Sequence, residues 1–92
     1  MAAPADEGAL KQKLLDEGFS ACYVWRDQPH AHYPDHTHPT ETAHIILDGE
    51  MTLTQGGESR TYRAGNRVDV PAGAVHSARM GPHGCRYLIG ER

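Results

Sequence analysis

Gly65-Asn66-Arg67-Val68-Asp69-Val70-Pro71-Ala72-Gly73-Ala74-Val75-His76 packs turn, strand, turn and the start of another strand into one short stretch. Ala64-Gly65-Asn66 and Pro71-Ala72-Gly73 carry turn chemistry, and Arg67 to Val70 between them is too short and β-branched for a helix. The same rhythm extends in both directions. Upstream, Met51 to Gln55 alternates apolar and polar side chains, Gly56-Gly57 turns the chain, and Ser59 to Arg63 returns it. Before that hairpin stands the apolar run Ala43 to Leu47, which Asp48-Gly49 is expected to end as a turn. Downstream, Val75 to Met80 reads as a strand, Gly81-Pro82-His83-Gly84 as a turn, and Cys85 to Ile89 as the last strand. Many short strands with regular turn signals define an all-β sandwich or barrel.

Nearer the amino terminus the pattern changes. Phe19 to Arg26 is rich in aromatic and β-forming residues and reads as a strand. Pro29, Pro34 and Pro39 make Gln28 to Thr40 irregular or edge-like. Leu10, Leu14 and Leu15 recur at helical spacing among charged residues, and Gly18 follows as a stop, so 7–17 is one short amphipathic helix. Residues 1–6 are expected to be a frayed tail. The result is a single domain over 1–92, with the β structure in 19–90.

Ninety-two residues give a limited core, which makes a homodimer the default. The formal charge of −3 and the scattered Lys and Arg exclude a nucleic-acid footprint. No apolar run approaches the roughly 20 residues that span a bilayer, so no membrane partner is expected. Met1 to Glu7 lacks the basic and hydrophobic regions of an export signal, and a cytoplasmic location is the expectation. Cys22 and Cys85 follow no zinc or redox spacing and read as ordinary small strand residues. No Gly-x-Ser-x-Gly and no phosphate-cradling glycine loop occurs.

Histidine is the unusual component. There are seven, and His30, His32, His36, His38 and His44 fall within one short span. In an extended chain His36 and His38 point to the same side, which makes half of a metal site. His76, directly behind its turn, can join them if the barrel brings the two segments together. Three imidazoles are the minimum protein set for a reactive metal with open positions. His30 and His32 lie beside prolines and read as loop residues, and His83 as an exposed turn residue.

These spacings resemble the cupin superfamily, and in particular small single-domain bacterial cupins. The family's second motif, Gly-x5-Pro-x-Gly-x2-His-x3-Asn, is met by Gly65, Pro71, Gly73 and His76, with Met80 in place of its last residue. The first, Gly-x5-His-x-His-x3,4-Glu-x6-Gly, is met by His36, His38 and Gly49. The resemblance implies a double-stranded β-helix, the cupin jelly-roll barrel, with His36, His38 and His76 holding one divalent transition metal ion: Fe, Mn, Ni, Cu or Zn. Two positions depart. Thr42 stands where the family's glutamate ligand belongs, and His30 where its first glycine belongs. Glu41 reaches the site if the loop after Pro39 is tighter than usual, as ligand or as catalytic general base. His44 reaches it, as fourth metal ligand or general base, if positions 42, 44 and 46 share an inner face. The alternatives are a solvated Glu41 and a core His44 bonded to a Thr or Tyr. The function implied is a metal-dependent oxidoreductase of the dioxygenase type acting on a small-molecule substrate. Its alternative is a non-catalytic module that binds metal or a small ligand, for instance as a sensor.

Overall fold

The computed structural model describes residues 6–92. Of the expected tail, residues 1–5 lie outside them, and Asp6 is the N-cap of the helix, its carboxylate accepting from the Ala9 N–H at 3.1 Å. The helix, α1, spans Glu7–Asp16. Six strands follow: β1 Ala21–Asp27, β2 His32–His36, β3 Thr42–Gln55, β4 Glu58–Arg63, β5 Arg67–Val70 and β6 His76–Glu91. All pairings are antiparallel.

Two of the expected turns are not turns. Asp48-Gly49 lies inside β3, and Gly81 to Gly84 lies inside β6. Each strand instead bends, with register shifts between Ile46 and Asp48 and between Gly49 and Met51. Both glycines at the bend, Gly49 and Gly84, take positive φ, 76° and 77°. A Cβ on Gly49 would run into the Gly84 carbonyl oxygen, and one on Gly84 into the Asp27 carbonyl oxygen. The Asp-Gly signal is therefore satisfied by a β-bulge rather than a hairpin.

The bends let two long strands serve two sheet halves. The first half of β3 pairs with β5 and with the end of β6, which also pairs with β1. The second half of β3 pairs with β4 and with the start of β6, which also pairs with β2. The order β5-β3-β6-β1 thus passes into β4-β3-β6-β2, and the halves fold over each other as a jelly roll. The Pro-interrupted stretch holds the short edge strand β2, which pairs with β6 alone. Strand alternation divides the core in two. Ile46, Met51, Leu53, Val70, Met80 and Tyr87 pack between the halves. Ala43, Ile45 and Leu88 face outward and are covered by Leu14 and Phe19 of the helix segment.

Candidate metal centre

His36 ends β2 and His76 begins β6, and the two are direct partners across the ladder. His38 lies two residues further on, where its carbonyl accepts from the Gly73 N–H at 2.9 Å. That bond ties the His-x-His segment to the turn that launches His76. The ring centroids lie 4.8 Å apart for His36–His38, 4.2 Å for His36–His76 and 4.9 Å for His38–His76. One ligand atom from each ring falls within 4.8 Å of the others.

Two of the three rings are oriented from behind. His36 Nδ1 lies 2.6 Å from the Pro34 carbonyl, and His76 Nδ1 3.0 Å from the Ala74 carbonyl. A carbonyl only accepts, so each Nδ1 carries a proton, and in the neutral ring the lone pair is on Nε2. This is the support that metal-binding imidazoles use. Burial lowers the His38 pKa, and the neighbouring His76 and His36 push it further the same way. A neutral ring is the form that coordinates. The donor set fits a borderline transition-metal ion: Zn–N bonds of about 2.1 Å require the nitrogens to close by an ångström or so.

The structure does not bring Glu41 to this cluster. Its carboxylate pairs with Arg92, at 3.0 Å to Nε and 3.1 Å to Nη2, while the two backbones exchange N–H···O bonds of 2.9 and 3.0 Å. Alternation is the reason. Thr42 and His44 take the inner face, and Glu41 is left on the outer one, beside a guanidinium that stacks on Phe19 at 4.3 Å. His44 does reach the inner face but stands apart from the three-histidine group. Its ring lies 5.8 Å from that of Tyr87, and its Nδ1 has no partner among the described residues. Burial pushes its pKa down to about 4; His76 and His38 add to this, and a hydrogen bond to the Val68 backbone opposes it.

The triad opens into a cavity of about 230 Å³. Met51, Leu53 and Met80 supply apolar wall, and the part-exposed Tyr23, Trp25 and Tyr33 also line it. One component escaped the sequence. Asp27, only 8 % exposed, accepts from Trp25 Nε1 at 3.0 Å and from the hydroxyls of Tyr33 and Tyr87 at 2.6 Å each. Burial and the Asp27 carboxylate both raise the phenol pKa values of Tyr33 and Tyr87, so these tyrosines are fixed neutral wall. Only the spacing Trp25-x-Asp27, one strand face, hinted at it. Glu91 also lines the cavity and is the direct cross-strand partner of Thr42.

A double-sheet β fold with a histidine triad at one end of its interior defines the cupin class. The cupin-domain family model matches residues 23–88, and the chain belongs to that family. Among curated proteins, quercetin 2,3-dioxygenase of Bacillus subtilis (strain 168) is 38% identical over 57 residues, 61% of this chain and 17% of that protein. Among solved structures, the DMSP lyase DddQ from Ruegeria pomeroyi DSS-3 superposes with a TM-score of 0.72 at 32% identity, over 78% of this chain and 37% of that one. An RmlC-like cupin from Shewanella frigidimarina NCIMB 400 superposes with a TM-score of 0.69 at 20% identity, over 76% and 62%. The chain therefore spans under a fifth of the dioxygenase and little more than a third of the lyase.

Proposed function

We propose that this cupin is a metal-dependent oxidoreductase of the dioxygenase type, acting on a small, largely apolar substrate that carries oxygen donors. The observation that supports it is the set of three imidazoles, two with Nε2 exposed by carbonyl-held Nδ1 protons, at the wall of a cavity sized for a small molecule. His36, His38 and His76 would hold the ion, which would supply a Lewis acid with open positions for O₂ or a chelating substrate. The Pro34 and Ala74 carbonyls keep the rings in place. Met51, Leu53 and Met80 exclude water from the reacting groups. His44, kept neutral by burial, is a proton acceptor on the inner face. The likeness to quercetin 2,3-dioxygenase adds support over its matched segment.

The test is elemental analysis of untagged protein together with O₂ uptake. Close to one transition metal per chain is expected, and His76→Ala should lose it; unchanged metal content in that variant would sink the triad. Iron-loaded protein should consume O₂ with at least some small diols or diketones. The second reading, a non-catalytic module that binds metal or a small ligand, is favoured by one observation: the expected carboxylate is absent from position 42, and Glu41 is drawn to Arg92 instead. Metal binding with no O₂ consumption across a broad panel would select it.

A further inference from the structure

Among the described residues, two buried side-chain polar atoms have no partner, and both belong to residues that line the cavity. Thr42 Oγ1 and His44 Nδ1 are buried without any hydrogen bond, in residues only 2 % and 8 % exposed. Native folds leave few such groups, and each calls for an explanation. Other polar side chains of the same wall are satisfied: His36 and His76 by carbonyls, Tyr33 and Tyr87 by Asp27. The two orphans are not scattered. They sit two residues apart on the inner face of β3 and line the cavity that the triad lines.

We propose that Thr42 Oγ1 and His44 Nδ1 form a hydroxyl-binding subsite, which takes the O–H group of a neutral phenol, enol or alcohol whose remainder is apolar. It rests on the reading of this cavity as a ligand site. The donor and acceptor inventory selects the group. Neutral His44 offers one lone pair, and the subsite takes the ring as the Nε2–H tautomer, in which the unpaired Nδ1 is the acceptor. Thr42 Oγ1 both donates and accepts. An O–H gives its proton to Nδ1 and takes one from Thr42. A carboxylate or phosphate oxygen has no proton for Nδ1, and an ammonium has no lone pair for Thr42. Met51, Leu53 and Met80 around the pair leave the rest of the ligand apolar.

The experiment uses the full chain loaded with zinc, which is redox-inactive, and ¹⁵N-labelled at histidine. Phenol and anisole are titrated in turn; they share the ring, and anisole lacks the O–H. Phenol should saturate and move the His44 Nδ1 resonance. Anisole should bind about tenfold more weakly and leave that resonance in place. Thr42→Val should weaken phenol about tenfold, and Thr42→Ser should retain it. Equal affinity for the two probes, absence of phenol binding, or phenol bound with Nδ1 unmoved would each overturn the subsite. If Thr42→Val fails to fold, the comparison of phenol with anisole on the unmodified chain decides. A chain that binds no metal yet shows the phenol response at Nδ1 retains the subsite and loses the proposed oxidoreductase. The reverse result, metal and O₂ uptake without the response, removes only the subsite.

Discussion

At the scale of single residues, the inner face of β3 holds both what was legible and what was not. The spacing of His36, His38 and His76 pointed to one cluster, and the three rings do lie together, because strand pairing and the turn before His76 fix their backbone positions. The fourth position was not legible. Thr42 marked a departure, yet sequence alone could not say that Glu41 would be captured by Arg92, fifty-one positions away in the chain. Nor could it say that Glu91 would stand across the ladder from Thr42. His44 carries a prediction of its own. Its folded pKa of about 4 lies below the 6.5 of a free imidazole. Between those values the unfolded chain binds more protons, so stability falls as pH falls. The loss begins near pH 6.5 and is complete near pH 4, and it amounts to about 3 kcal/mol. Urea unfolding at pH 7 and pH 4.5 should show a smaller loss in His44→Phe than in the unmodified chain. Parallel losses in the two proteins would mean that other groups carry the acid response.

At the scale of elements, composition and periodicity found every strand except β2, which lay within a stretch read as irregular or edge-like, and divided two of them wrongly. Asp48-Gly49 and Gly81 to Gly84 carry strong turn signals, and a turn and a glycine bulge ask for the same positive φ. What separates them is a contact remote in sequence: Gly49 lies opposite Cys85, so close to Gly84 that no side chain fits. Only the paired strands reveal that. Gly49→Ala should therefore destabilise through two effects, a left-handed conformation that alanine resists and a clash with backbone that cannot rotate away. A loss of roughly 2–4 kcal/mol is expected, by analogy with overpacking plus backbone strain. Gly56→Ala is the control. Its φ of 59° carries the same strain, but nothing lies within 4 Å of the added methyl. Equal destabilisation in the two variants, measured by chemical denaturation, would show that conformation alone matters and that the two bends do not press on each other.

At the scale of the molecule, the core is split, and the split decides what a metal would do. The outer cluster is closed by Leu14 and Phe19, with Arg67 bridging Glu17 at 2.8 Å and Asp69 at 2.7 Å beside it. The inner cluster opens at one end into the cavity. There β2 is loosely secured: it is short, it pairs only with β6, and its register is interrupted between Tyr33 and His36. The triad joins three chain segments at that end, the tip of β2, the loop at His38 and the start of β6. An ion held there would cross-link the edge strand β2 to the long central strand β6 and stabilise the native state by mass action, about 2.7 kcal/mol at a free concentration one hundred times Kd. Stripping the metal with a chelator should lower Tm by several degrees, a shift expected to be large because the chain is small. Hydrogen exchange should locate the effect. Amides of β2 and of the start of β6 should lose protection on chelation, and those of β5 and the first half of β3, under the helix, should not. Uniform loss of protection across both halves would mean that the two clusters unfold as one unit and that the metal stabilises the whole fold rather than its open end.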